Sequence, residues 1–293
     1  MGLLSGWTPR ERHAVIAAYL GWSLDAFDYF VLVFVLSDVA RTFKTGILAV
    51  ALALTLTLAF RPLGAFIFGR LADRHGRRPV LMVNIACYSL FGFLTAFAPS
   101  LGAFFVIRSL FGVAMGGVWG IGASLAFETI QRERRGFVSG LMQSGYATGY
   151  LVASLVFGLF YGWLGWRGLF MLGIVPAILL VFYIRLQVSE APGWDRKRAR
   201  AASTFSVLKK HWRLALLTIV TMTAFNFFSH GTQDLYPTFL QRQHHFDHAT
   251  VSIIAVLYNI AAIAGGLTVG SLSQRFGRKR AVVTTVLIAV PIA

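Results

Sequence analysis

The chain has 293 residues, of which 57% are hydrophobic and only 13% charged, and its mean hydropathy is +0.68. Too few charges are present to coat a soluble globule of this size, so the composition describes an all-α polytopic membrane protein. A net charge of +16 would suggest a nucleic-acid binder in a soluble protein, but here the basic residues fall in alternate loops and nucleic acid is set aside as a partner.

Apolar runs of about 20 residues, the length that spans a bilayer core, recur with short breaks. They predict helices at 14–36, 46–69, 79–98, 102–127, 136–160, 167–185, 213–238, 250–270 and from 281 onward, the last cut short at Ala293. Arg41, Lys44, Arg167 and Arg242 fall on one side and Arg61 and Arg108 inside helices, while most of the 27 Lys+Arg fall on the other. By the positive-inside rule the N-terminus and the loop 186–212 are cytoplasmic, and the plasma (inner) membrane is the expected location. The first run is too long for a cleavable leader and carries two aspartates, so it is expected to remain as the first helix. Cys87 is the single cysteine, which excludes an intrachain disulfide and a cysteine-based metal site.

In chain order, the first helix reads G-W-S-L-D-A-F-D-Y-F, with Asp25 near mid-membrane and Asp28 about 4.5 Å further along by the helical rise. Two carboxylates on one face in low dielectric repel, so one of them is expected to hold a proton near neutral pH. The second helix carries Arg61-Pro62, and Arg61 is expected to snorkel toward water in a structural role. The run Gly69-Arg70-Leu71-Ala72-Asp73-Arg74-His75-Gly76-Arg77-Arg78 predicts a ten-residue hairpin loop with glycines at both tight points and an acid among arginines. It returns 201 positions later as Gly270 to Lys279, a parallel internal repeat. The repeat divides the chain into a six-helix bundle at 1–185, a basic linker at 186–212 and an incomplete second bundle at 213–293.

In the fourth helix Gly112, Gly116 and Gly120 repeat at four-residue spacing, a face that lets membrane helices touch backbone to backbone. Arg108 on the same helix needs a carboxylate or a bound anion, and Asp25, Asp28 and a substrate carboxylate all qualify. Glu128 ends this helix among Arg132, Arg134 and Arg135 and is expected to join the loop clamp. Trp163 and Trp166 read as interface anchors. Arg196, Lys197, Arg198, Arg200, Lys209 and Lys210 should lie against anionic lipid headgroups.

The stretch Asn226 to Thr238 reads N-F-F-S-H-G-T-Q-D-L-Y-P-T. Helical spacing puts Asn226, His230, Gln233, Asp234 and Pro237 on one polar stripe. An ionisable pair in lipid costs several kcal/mol, so His230 and Asp234 should face protein or a wet cavity and answer each other. Further on, His244, His245, Asp247 and His248 lack the ligand set a metal would need, and no metal or cofactor is expected.

The loop G-R-L-A-D-R-H-G-R-R resembles the hallmark loop of the major facilitator superfamily, and Arg108 to Gly117 is similar to that family's fourth-helix motif. The seventh-helix stretch and the D-A-F-D of the first helix resemble the lactate and pyruvate branch of the sialate:proton symporter group. The resemblance implies two six-helix bundles rocking about a central site, and against it the chain looks C-terminally truncated. Val118 stands where broader relatives carry an acid, and the fifth helix, with Gly140, Gly145 and Gly149, lacks the glycine-proline pair of the antiporter motif.

The expected activity is alternating-access symport of a proton with a small monocarboxylate such as lactate or pyruvate, by a monomer in a lipid bilayer. Asp25, Asp28, His230 and Asp234 would couple the proton, and Arg108, Asn226, His230 and Gln233 would bind substrate. Gly69, Asp73, Arg74, Gly76, Arg77 and Glu128 would form a cytoplasmic gate. Sialate or an aromatic acid is the alternative cargo, and a non-transporting remnant the alternative class. An enzyme is disfavoured, since Ser229 points away from the stripe and leaves no nucleophile beside His230.

Overall fold

The structure is a computed structural model that describes residues 6–192, 194 and 211–289. Regular structure among them is helical: α1 (Pro9–Thr42), α2 (Ile47–His75), α3 (Arg77–Thr95), α4 (Leu101–Thr129), α5 (Arg135–Leu172), α6 (Ile174–Gln187), α7 (Trp212–Gln233), α8 (Tyr236–Arg242), α9 (His248–Phe276) and α10 (Arg278–Ala289). Helices close every interior backbone hydrogen bond within one segment, which lipid requires. Their starts are set by side chains: Thr8 and Glu11 form a capping box ahead of Pro9, Ser100 accepts from the Ala103 amide, and Asp247 accepts from that of Thr250. Among the described residues seven stretches are long and apolar enough to cross a membrane, and one of them, Arg132–Gln187, doubles back on itself. The reversal shows in its contacts with α1, where Trp166 Nε1 donates to Thr42 Oγ1 at 3.0 Å while Tyr183 Oη lies 2.7 Å from His13 Nδ1.

The first helix is the axis of the N-terminal bundle. From Gly21 to Ala40 every residue of α1 but Leu24 and Asp38 is buried, because α2, α3, α4, α5 and α6 all pack on it. The helices around it turn apolar side chains such as Leu48, Phe66, Leu179 and Phe182 outward, as a lipid-facing surface does.

Close helix contact rests on glycine where the sequence suggested it, with one exception. A Cβ on Gly112 or Gly116 would collide with the carbonyls of Thr57 and Arg61 on α2, and one on Gly64 with the carbonyl of Val113 on α4. Gly120 does not belong to this face, since a Cβ there meets nothing within 4 Å. The two halves of the chain meet along α5 and α9, where Gly140 faces Gly266 and Gly270 and Ser252 Oγ donates to the Ser154 carbonyl at 2.6 Å.

Several boundaries differ from the sequence expectations. The ten-residue loop after the second helix is a single residue: α2 continues through His75, Gly76 adopts φ +103°, and α3 begins at Arg77. Gly69 is therefore not a tight point; it lies within α2, beside open space. Gly277, 201 positions on from Gly76, adopts φ +88° between α9 and α10, so the repeat is one of backbone geometry. Only glycine takes such a conformation without strain. The fifth span bends at Gly165, with φ +59°, instead of ending near 160. The seventh span breaks after Gln233 and resumes at Tyr236, with Pro237, which has no N–H to continue the ladder, in the first turn of α8. Trp163 is exposed as an anchor would be, but Trp166 is buried and hydrogen-bonded to Thr42. The basic linker positions Arg196 to Arg200, Lys209 and Lys210 lie outside the described residues.

Candidate functional site

Two groups of polar residues lie within the membrane-spanning part, on different faces of α1. Asp25 and Asp28 turn into the N-terminal bundle. Asp28 is 2% exposed and faces Gly92 of α3 and Gly173, and a side chain at Gly173 would leave it no room. Arg108 of α4 is 0% exposed, with its guanidinium 4.1 Å from the Phe111 ring and 5.9 Å from that of Phe170. Arg61 of α2 and Arg108 both lie near enough to Asp25 to interact with its charge, and Arg108 also interacts with that of Asp28. Among the described residues no hydrogen bond reaches either oxygen of Asp25 or any nitrogen of the Arg108 guanidinium. A buried native polar group nearly always has a partner, so these unpaired groups mark the constellation as a candidate binding site.

Arg61 departs from expectation. The residue is half-buried, and its guanidinium sits 5.4 Å over the ring of Trp22, close enough to Asp25 to act on it. Proline at 62 stays within α2, and the backbone of Arg61 is held against Gly116 of α4.

The second group bridges the halves. Tyr29 of α1 donates its phenol to Asp234 Oδ2 at 2.7 Å, and His230 Nδ1 lies 3.1 Å from both oxygens of that carboxylate. Asp234 is only 8% exposed, capping α7 at the break before α8. The His230 ring meets Tyr29 and Tyr146 edge to face, with centroids 5.8 and 6.1 Å apart. Gln233 Nε2 donates to Tyr258 on α9 at 2.7 Å. Asn226 does not join them: its amide turns back to the Met222 carbonyl of its own helix at 2.8 Å, on a stretch of α7 that is almost wholly exposed. Beyond this group, Arg242 Nε and Ser37 Oγ are 3.5 Å apart beside a cavity of about 380 Å³ lined by Arg41, Thr45 and Ile47.

At the Gly76 end a third cluster ties the N-terminal helices together. Arg77 reaches Glu128 at 3.0 Å and Asp73 at 3.3 Å. The segment after α6 closes over the turn, with Glu190 Oε1 accepting from the Arg77 amide at 2.8 Å and Oε2 from the Arg78 amide at 3.2 Å. Trp194 Nε1 donates to the Asp73 carbonyl at 2.8 Å. Arg74 is exposed and makes no bond among the described residues. His244 and His248 pack on aromatic rings and Asp247 caps α9; no group of three or more His, Cys, Asp or Glu gathers there.

Tyr29, Tyr146, Trp22, Tyr258 and Glu190 were not singled out by the sequence. Tyr29 had a usable signal, since it lies four residues from Asp25 and directly follows Asp28; Glu190 had none beyond being an acid in a basic stretch.

The helices and their buried ionisable groups make this an integral multi-pass membrane protein. The Major Facilitator Superfamily model matches residues 4–293, and the chain belongs to that family. It is 33% identical over 294 residues to the "Probable 4-methylmuconolactone transporter" of Cupriavidus pinatubonensis, covering 97% of this chain and 67% of that protein. With the "Sialic acid transporter NanX" of Escherichia coli it shares 28% over 279 residues, covering 94% of this chain and 68% of that one. Among solved structures, the D-xylose-proton symporter has a similar fold, with a TM-score of 0.72 at 17% identity, covering 92% of this chain and 70% of that one. A bacterial homologue of the human lysosomal transporter Spinster, inward-facing, has a TM-score of 0.65 at 19% identity, covering 94% and 64%. The chain spans about two thirds of the length of these relatives.

Proposed function

We propose that the protein is a secondary transporter that carries an organic monocarboxylate across the membrane together with a proton. The observation that supports this reading best is the burial of Asp25 and Arg108 to 0% exposure with no bonded partner among the described residues. Intramembrane charges are costly, and they persist where a substrate or proton completes them. Relatives named for 4-methylmuconolactone and sialic acid support an organic-acid cargo. They are named as transporters, which favours transport over catalysis.

In this reading Asp25 or Asp28 takes the proton and no longer competes for the charge of Arg61 or Arg108. That guanidinium then donates to the substrate carboxylate, with His230 and Gln233 contributing from the second half. One proton with one carboxylate carries no net charge, so the step avoids moving a bare anion through lipid. The Tyr29–Asp234 hydrogen bond closes the site at the Ser37 end, and the Arg77–Glu128 and Arg77–Asp73 pairs belong to the gate at the Gly76 end. Positive-inside reasoning makes the Gly76 end cytoplasmic.

The test is uptake of labelled lactate and benzoate by liposomes containing the purified chain, with and without an inward proton gradient. Uptake driven by the gradient, and lost in Arg108→Gln, supports the reading. Gradient-independent uptake, or none of either acid, contradicts it.

A further inference from the structure

Arg61, Trp22 and Tyr146 form a set of hydrogen-bond donors without acceptors. The indole of Trp22 is 7% exposed and its Nε1–H has no partner among the described residues, and the buried Tyr146 hydroxyl has none either. The two rings stack, with centroids 5.5 Å apart and planes at 27°. The Arg61 guanidinium lies 5.4 Å over the same indole and makes no hydrogen bond or ion pair among the described residues. From there the surface continues to the second half, since Tyr146 meets His230 edge to face at 6.1 Å. Arg108 is placed otherwise: its aromatic contacts, Phe111 and Phe170, both belong to the N-terminal bundle, and Asp28 beside it is closed in by Gly92 and Gly173.

A guanidinium, an indole N–H and a phenol O–H gathered on one aromatic wall call for a ligand with two acceptor oxygens and a flat face. Carboxylate oxygens satisfy such donors, and the guanidinium fork suits them. The rings of Trp22, Tyr146, Phe30 and His230 that border these donors already pack stacked or edge to face, and a planar ring extends such a cluster where a small aliphatic acid does not. Resting on the organic-acid reading above, we propose that Arg61, Trp22 and Tyr146 form the carboxylate subsite, and that it selects acids bearing a planar unsaturated or aromatic ring over lactate-like acids. Asp25 is the competing acceptor for Arg61, so a neutral Asp25 leaves the guanidinium to the ligand.

The test is equilibrium binding to the detergent-purified chain, read by calorimetry and by quenching of tryptophan fluorescence, with benzoate, lactate and the uncharged benzamide as probes. Benzoate is expected to bind at least tenfold more tightly than lactate or benzamide. Arg61→Gln should weaken benzoate tenfold or more and Tyr146→Phe several-fold, whereas Arg213→Gln, the same charge change on an exposed arginine, leaves it unchanged. Should Arg61→Gln not yield folded protein, Tyr146→Phe and Arg61→Lys carry the test. Equal affinity for benzoate and lactate, or benzoate affinity indifferent to Arg61 and Tyr146, overturns the proposal. The two readings fail separately: Arg61-dependent benzoate binding without proton-driven uptake removes symport alone, and proton-driven lactate uptake with no benzoate binding removes the ring subsite alone.

Discussion

Replacing Tyr29 with phenylalanine deletes one oxygen and keeps the ring against Phe30 and His230. The lost hydrogen bond is 2.7 Å long and joins α1 to the carboxylate of Asp234, 205 positions away and only 8% exposed. Hydrogen bonds to charged groups contribute about 1.5–3 kcal/mol, and burial places this one away from screening water. The contact that backs it up, Arg242 to Ser37, is at the 3.5 Å limit of a hydrogen bond and adds little. Opening of α8 from α1 should therefore become about 10- to 100-fold more frequent, by the conversion of about 1.4 kcal/mol per factor of ten. Hydrogen exchange followed by mass spectrometry reads this directly in peptides covering Leu235 to Arg242. The exchange of α4 peptides around Gly112 should not change. Exchange at α8 within threefold of the parent would show that the bond does not hold the halves together.

Other expectations follow from contacts equally specific. Gly64→Ala forces a methyl into the Val113 carbonyl, and overpacking of this kind costs about 1–3 kcal/mol, read as a lower Tm of the purified protein. Gly120→Ala, on α4 and beside open space, should leave Tm unchanged or raise it, since alanine is the better helix former by about 1 kcal/mol. Glu190→Gln weakens the acceptor at the N-terminus of α3; a loss of about 1 kcal/mol would speed exchange of the Arg77 and Arg78 amides several-fold. Asp247 is held below the usual aspartate range by the hydroxyl and amide of Thr250. A lowered folded value means that its cap is fully formed above about pH 4 and is lost as pH falls through that lowered value. Thr250 amide exchange, corrected for intrinsic rate, should rise below pH 4 in the parent and be already high at pH 7 in Asp247→Ala.

Much of the scaffold was legible because membrane helices announce themselves by length and apolarity. The glycine at 76 and its copy at 277 could be read because a helix reversal within one residue admits little else. Asp234 and His230 were legible from spacing alone, since (i, i+4) partners on a helix meet whatever surrounds them. What could not be read was direction. The face of α1 that carries Asp28 into the bundle and the face that carries Tyr29 to Asp234 are adjacent in sequence, and only packing tells them apart. In lipid the apolar residues facing the bilayer and those facing the core are the same types, so periodicity gives no inside. Arg61 was misread because the apolar run placed it toward the inner end of its helix, whereas α2 runs on to His75 and leaves it at mid-helix against Trp22. The hairpin was read as a loop because its charged residues look solvated, whereas Asp73 and His75 lie within the last turn of α2.

Coupling itself is best tested by the protons that accompany the substrate. Liposomes containing the purified chain, loaded with a pH-sensitive dye and held at equal pH on both sides, would be given an inward gradient of benzoate or lactate. Corrected for protein-free liposomes, the lumen should acidify in step with substrate entry, and Asp25→Asn with Asp28→Asn together should abolish that acidification. Substrate entry with no proton beside it, or undiminished acidification in the double variant, would contradict the assignment of the buried carboxylates as proton carriers.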